Sequence, residues 1–214
     1  MNGSRLIRTG LHAGWGAGVV FAVALSWLGA VVPGYEHARM PVSFLGMRGV
    51  ALAQCWNIAG FIAPGLLVAC FALSLQAPLR RDGAGALARI GTWLLLISGL
   101  AFAGNGVFAY DLAEPDGMAS KLHVAMLTIA LLGFLPSALL LALGLRRRPA
   151  WRVLVTGGAL LASATLLSVL QRMGDWLPLL GDNPGYAQRV TLALYFLWLA
   201  LAALVALRSG PARR

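Results

Sequence analysis

Charged residues are scarce in this sequence. Only 11% of the 214 residues are Asp, Glu, Lys or Arg, whereas 59% are hydrophobic and the mean hydropathy is +0.79. A soluble domain is about half apolar and about one quarter charged, so this composition excludes a soluble globular protein. No stretch is polar enough to form a separate soluble unit, and we expect one transmembrane domain over residues 1–214.

The distribution of charge and cysteine excludes two further interpretations. The net charge of +10 is high enough for a nucleic-acid-binding protein. The basic residues, however, form short clusters at the ends of apolar runs, where they act as topology signals, and we expect no nucleic-acid partner. Cys55 and Cys70 lie in one predicted helix, about 22 Å apart at about 1.5 Å per residue, which is too far for a disulfide.

Long apolar runs make up most of the sequence. A membrane-spanning helix needs about 20 predominantly apolar residues. The first run exceeds the roughly 7–15 apolar residues of a signal peptide, so we expect an uncleaved span. The sequence therefore predicts an all-α polytopic membrane protein with a single six-helix transmembrane bundle. The predicted spans are approximately 12–32, 52–76, 90–110, 122–145, 151–171 and 188–208.

The connections between spans predict the orientation. The N-terminus, the second and fourth connections and the C-terminus together hold 12 of the 17 Lys and Arg residues, and six of the seven acidic residues lie in the other connections. Basic segments remain in the cytoplasm. We therefore expect a multi-pass protein of the cell (inner) membrane with both termini cytoplasmic, and we expect the longer, mixed outer loops to carry function.

Polar residues enter the spans mainly in the outer third, whereas the inner halves are almost free of ionisable groups. Intramembrane polar residues usually face a bundle interior or a cavity. The pattern predicts an outward-facing polar vestibule above an apolar plug, which suits a lipid or head-group pocket better than a continuous pore. The candidate ligand-binding residues are His37, Gln54, Asn57, Asn105, Arg172, Gln188 and Arg189.

Three outer-layer residues could carry chemistry. Asp111 and His123 are suited to acid and base roles around a serine nucleophile, for which Ser43 is the candidate. With His37, the same two residues could instead hold a divalent metal. The chain has no HExxH or GxSxG motif. The structural alternatives are a His–Asp hydrogen bond that ties the first and third outer loops together, polar side chains that join helices, and arginines that extend to the interface.

Three segments of the chain resemble the domain-of-unknown-function family 998, a family of six-span bacterial and archaeal membrane proteins. These are "PGYEHARMPVSFLG", "QCWNIAGFIAPGLL" and "GVFAYDLAEPDGMASKLH", and the opening of the sixth span is also similar. The chain departs from the family pattern at 40–44, where Met-Pro-Val-Ser-Phe replaces a Thr-Ile-Ser-like or acidic segment. The resemblance implies the fold and the location of a site, and it leaves the chemistry open. The matching positions are Pro33, Gly34, Tyr35, Ser43, Leu45, Gly46, Asn57, Gly60, Asp111, His123, Gln188 and Arg189.

Two functions of different classes remain open. In the first, the vestibule binds a lipid or another amphiphile, with Arg172 and Arg189 near its polar head, and a further step hydrolyses or transfers that head group. In the second, the protein is a non-catalytic membrane scaffold or accessory subunit whose polar network only locks the loops together. The expected partners are membrane lipids, together with a membrane-protein partner or a second copy of the chain.

Overall fold

The computed structural model describes residues 2–174 and 181–209, and this part of the chain is helical with no strand. Six of its helices are long and apolar enough to cross a membrane. This confirms the all-α class and the six predicted spans. The helices are α1 (Asn2–Val31), α2 (Ala53–Arg81), α3 (Ala86–Val107), α4 (Met118–Leu145), α5 (Arg152–Gly174) and α6 (Pro184–Arg208).

The largest difference from the predicted boundaries is at the start of the chain. The sequence predicts a first span from residue 12, whereas α1 already begins at Asn2. Hydropathy detects the apolar part of a helix, but the backbone hydrogen bonds of a helix continue through polar residues such as Arg5 and Arg8. The apolar span is therefore only part of a longer helix.

The six helices form a closed ring. Each helix packs against its neighbours in sequence, and α6 completes the ring by packing against α1. Aromatic side chains fill the interior: Phe21 of α1, Phe102 of α3 and Tyr195 of α6 meet there, with ring centroids 6.2 Å apart for Phe21–Phe102 and 5.9 Å apart for Phe102–Tyr195. The interior is thus a packed aromatic core, which extends into the half of the bundle next to the loop-bearing end.

The helices α2 and α3 approach most closely at glycines. A Cβ atom at Gly99 would lie 2.8 Å from both the backbone nitrogen of Ala69 and the carbonyl oxygen of Gly65. Small residues let helix backbones approach in a membrane, where van der Waals packing replaces the hydrophobic effect as a driving force. These glycines therefore determine how close α2 and α3 can lie.

The two ends of the bundle differ in charge. Ten exposed arginines lie at one end, which we call the basic end, on α1, α2, α3, α5 and α6 and in the turn that follows α4. The other end, which we call the loop end, holds the connections 32–52 and 108–117. These arginines are Arg5, Arg8, Arg80, Arg81, Arg89, Arg146, Arg147, Arg148, Arg152 and Arg208.

Candidate functional site

The segment Pro33–Gly46 covers part of the loop end. It leaves α1 through a turn in which Gly34 has φ +73°, a conformation that favours glycine. It then forms a short 3₁₀ helix, Val42–Gly46, which buries Val42 and Leu45 against the bundle. The segment is therefore a wall of the bundle with its own apolar contacts.

The first turns of α6 hold this wall by its backbone. The Val42 N–H donates to Oε1 of Gln188 at 2.6 Å, and the Tyr186 N–H donates to the Ala38 carbonyl at 3.2 Å. A Cβ atom at Gly185 would lie 2.6 Å from the Met40 carbonyl oxygen. Only glycine permits this approach, so position 185, where α6 meets the wall, requires glycine.

Arg189 is the second link between α6 and the wall. Its Nη1 donates to the Met40 carbonyl at 3.0 Å and to the Gly185 carbonyl at 2.7 Å, and its Nη2 donates to the Tyr35 hydroxyl. The guanidinium carbon also lies 5.5 Å from the centre of the Tyr35 ring. The Nε–H of Arg189 is buried without a hydrogen-bond partner. Every partner of this cation is therefore a neutral oxygen or a ring.

The groups around Arg189 are neutral at physiological pH. Burial raises the pKa of Tyr35, an effect that the charge and the hydrogen bond of Arg189 partly oppose. The His37 ring packs against the Tyr35 ring with 5.1 Å between centroids. Burial, and then the nearby charge of Arg189, lowers the pKa of His37. The net charge of this cluster is therefore that of Arg189.

His123 belongs to a separate cluster between α3 and α4. Its Nδ1 lies 2.8 Å from the Phe108 carbonyl oxygen and 3.2 Å from that of Asn105. Since a carbonyl only accepts, Nδ1 carries the proton. The last carbonyls of a helix lack partners within that helix. The buried His123 side chain thus caps the C-terminal end of α3.

Asp111 has other partners than His123. Its Oδ1 accepts from the Ala113 N–H at 2.9 Å, and its Oδ2 lies 3.6 Å from Nη1 of Arg48. The Arg48 N–H in turn donates to the Tyr110 carbonyl at 3.1 Å. The expected His–Asp hydrogen bond between the first and third outer loops is therefore wrong in its partner, because Arg48 and not a histidine joins Asp111 to the first outer loop.

The four remaining sequence candidates have different surroundings. Asn57 lies in a π-helical segment of α2, Asn57–Ile62, and its Nδ2 donates to the Gly46 carbonyl at 3.0 Å, so it also holds the wall. Asn105 is buried and donates to the Ala101 carbonyl of its own helix. Gln54 is exposed and does not share the inward side of Asn57. The side chain of Arg172 lies outside the described residues.

The candidates for catalysis and metal binding are not brought together. Within residues 2–174 and 181–209, no three His, Cys, Asp or Glu side chains are grouped so that they could hold a metal ion. The set that could have held one, His37, Asp111 and His123, is thus dispersed: His37 lies beside Tyr35, and His123 lies beside Phe61. Ser43 is half-buried, and no hydrogen bond joins it to a histidine in the described part of the chain.

A groove between α1 and α6 was not predicted. It has a volume of about 560 Å³, and its lining is almost entirely apolar, with Arg189 as its one charged residue among those described. Gly18, Ala22 and Ser26 form one side, spaced four residues apart on α1. The sequence signal was this small-residue stripe, because side chains four residues apart share one face of a helix.

The family comparison agrees with this architecture. The model of the family described as Protein of unknown function (DUF998) matches residues 16–205, which include all six apolar helices in whole or in part. The chain belongs to this family. No curated protein and no solved structure matches it. The resemblance found in the sequence is thereby confirmed, and DUF998 membership describes a membrane protein without assigning an activity.

Proposed function

We propose that this protein binds a membrane lipid or a similar amphiphile, with its apolar chain in the groove between α1 and α6. The groove itself is the observation that carries the proposal. Ligand sites are concave and mostly apolar, with few polar groups that orient the ligand. The α1–α6 groove has this composition, since Arg189 is the one charged residue among its described lining.

The length of the groove suits one acyl chain. Its lining on α1 runs from Trp15 to Ser26. Eleven helical steps of about 1.5 Å correspond to about 16 Å, which is about half of the roughly 30 Å hydrocarbon core of a bilayer. A chain from one leaflet therefore fits along it.

The orientation in the proposal follows from charge. The basic end, with its ten exposed arginines, lies in the cytoplasm and the loop end lies outside, as the positive-inside rule favours. Both termini are then cytoplasmic, and Arg189 lies near the outer surface of the inner membrane. The groove opens to the lipid of the outer half of that membrane.

The proposal covers binding and contains no bond-breaking step. A serine nucleophile needs an adjacent base, and among the described residues Ser43 has no hydrogen bond to one. Asp111 is held by Arg48 and Ala113, and His123 by two backbone carbonyls. Each of these side chains already has a structural partner.

Obstructing the groove tests the proposal. Ala22 is exposed and lines the groove, so Ala22→Trp fills it without entering the core. Leu100→Trp is the matched control, because Leu100 is a 50% exposed side chain on α3. Native mass spectrometry of protein extracted in mild detergent should show co-purifying lipid on the wild type and on Leu100→Trp, and much less on Ala22→Trp. Equal lipid on all three proteins would reject the proposal.

A scaffold function is the second candidate, and one observation favours it. The helix α5 is the least embedded: only 17% of its most apolar window is buried within the bundle, against 56% for α6. A membrane-protein partner or a second copy of the chain could cover this face. Chemical crosslinking in native membranes from a cysteine introduced at the exposed Leu160 tests it, and crosslinks that carry only lipid would reject it.

A further inference from the structure

The charge of Arg189 has no counter-charge in the described part of the chain. The ion pairs found there are Arg39–Glu36 at 3.8 Å, Arg48–Asp111 at 3.6 Å and Arg81–Asp82 at 3.0 Å. The two carboxylates of the loop end in this set, Glu36 and Asp111, are thus already paired with other arginines. Arg189 is therefore a half-buried cation without an ion pair, at the end of an apolar groove.

Arg189 also retains hydrogen-bond capacity. A guanidinium has five N–H donors. Nη1 donates to the Met40 carbonyl of the wall and to the Gly185 carbonyl of α6, and Nη2 donates one N–H to Tyr35 of the wall. The Nε–H is buried, whereas the second N–H of Nη2 has no hydrogen bond to a described residue. A ligand oxygen at the end of the groove can therefore accept a charge-assisted hydrogen bond from Nη2.

We propose that the ligand of the groove carries an anionic head group, a phosphate or a carboxylate, and that Arg189 binds it. This inference rests on the proposed lipid-binding function and adds the charge of the ligand. Arg is suited to both anions because its planar, weakly hydrated guanidinium forms charge-assisted hydrogen bonds with their oxygens. The neutral surroundings from Tyr35 and His37 leave its positive charge uncompensated.

Different N–H groups of the Arg189 side chain hold the loop and bind the ligand. Nη1 donates both of its N–H groups to the Met40 and Gly185 carbonyls, whereas Nη2 donates one N–H to Tyr35 and keeps the other for the ligand. The wall Pro33–Gly46 thus orients the guanidinium before a ligand arrives. Preorganisation of this kind reduces the entropic cost of binding.

The test compares lipids that differ in charge and share their chains. Delipidated wild-type protein is incubated with equal amounts of dioleoylphosphatidylglycerol and dioleoylphosphatidylcholine, and retained lipid is counted by native mass spectrometry. A parallel sample receives oleate at a pH well above the carboxyl pKa. We expect about tenfold preference for an anionic probe, a factor that corresponds to about 1.4 kcal/mol. Both phospholipids contain a phosphate, but the choline cation neutralises it in phosphatidylcholine. Preference for phosphatidylglycerol without retention of oleate therefore identifies an uncompensated phosphate, and retention of oleate identifies a carboxylate.

Variants assign the preference to Arg189 while leaving its wall contacts in place. Ala193 is exposed, lines the groove and lies one helical turn from Arg189. Ala193→Glu supplies an internal carboxylate at i,i+4 and should abolish the preference, whereas Ala193→Gln should keep it. Arg39→Gln, which removes an exposed arginine of the same loop, should also keep it.

The outcomes distinguish the inference from the function on which it rests. Equal retention of both phospholipids and no oleate by wild-type protein, with loss of both phospholipids in Ala22→Trp, would overturn the anionic head group and leave lipid binding intact. No retention of any probe by the wild type would overturn both. A preference that survives in Ala193→Glu would remove Arg189 from the head-group site.

Discussion

The guanidinium of Arg189 donates to the hydroxyl of Tyr35 and lies over its ring, 5.5 Å from the ring centre. This contact joins the start of α6 to the turn that follows α1, so the first and last helices of the ring are linked through side chains at the loop end. A phenol hydroxyl is a good acceptor for a charged donor. The pair thus supports the wall and the groove at the same time.

Removing that hydroxyl should weaken the loop end. Tyr35→Phe keeps the ring and its cation–π contact but deletes the acceptor for Nη2. A hydrogen bond to a charged group contributes about 1.5–3 kcal/mol, and thermal unfolding in detergent should show a loss in this range. Tyr186→Phe is the control, because Tyr186 is 49% exposed, and it should change little. An equal effect of the two substitutions would contradict the assignment.

Acidification should destabilise the wall through His37. Burial and the charge of Arg189 lower the pKa of His37 in the folded state, so below the ordinary value of about 6.5 the unfolded chain binds more protons. The stability that the neutral ring contributes is present above pH 6.5 or so and is lost as the pH falls from there to the lower folded-state value. Melting temperatures from about pH 8 to pH 5 should therefore fall less steeply in His37→Gln than in the wild type.

His12 provides the matched control for that profile. It lies on α1, where Nε1 of Trp15 donates to its Nδ1 at 2.9 Å in an exposed position away from the wall. His37 remains in His12→Gln, so the loss of stability on acidification that we assign to His37 should persist in this variant. If His37→Gln left the acid slope unchanged, His37 would not be the titrating group.

His123 should prove structural. His123→Ala removes the donor to the Asn105 and Phe108 carbonyls and leaves them unpaired, which costs about 1–3 kcal/mol. His123→Asn retains a donor and should recover part of the loss. Lipid retention per folded protein should be the same in all three proteins. A loss of co-purifying lipid or metal at unchanged melting temperature would instead make His123 a ligand.

The glycines between α2 and α3 give a test of packing. Gly99→Ala places a methyl group 2.8 Å from backbone atoms of α2 and must separate the helices, so the melting temperature should fall. Gly16→Ala meets nothing within 4 Å and should raise stability by up to about 1 kcal/mol, because alanine favours a helix over glycine. A neutral Gly99→Ala would contradict the close approach.

The orientation can be measured with a membrane-impermeant thiol reagent. Cys55 and Cys70 are both exposed in the bundle and are first replaced by alanine. A single cysteine at Asp116 of the loop end should then be labelled in intact cells, whereas one at Arg147 of the basic end should be labelled only after the cells are opened. The reverse pattern would invert the topology.

Sequence was sufficient for the spans because the bilayer itself imposes their length and composition. It was also sufficient to select Gln188, Arg189 and Asn57 as candidate site residues. It could not supply their partners, since three of these, the Val42 N–H and the Met40 and Gly46 carbonyls, are backbone groups that residues present whatever their side chain, apart from the N–H that proline lacks.

The α1–α6 groove and the partners of Asp111 and His123 could not be predicted either, for a related reason. Gly18, Ala22 and Ser26 signal close packing when a second helix fills the stripe, and a groove when it does not. Histidines and Asp111 lie in the outer layer of the sequence, so a His–Asp hydrogen bond between the loops was the simplest hypothesis. Instead, His123 binds the Asn105 and Phe108 carbonyls, and Asp111 binds Arg48.

The closure of the ring by α6 against α1 has a consequence for biosynthesis. The ribosome makes α1 first and α6 last, and domains assemble in the order in which they emerge. Until α6 enters the membrane, the Val42 N–H lacks Gln188 and the Met40 carbonyl lacks Arg189. The Pro33–Gly46 segment can therefore take its final position only after α6 has been inserted, so its docking follows the insertion of all six helices.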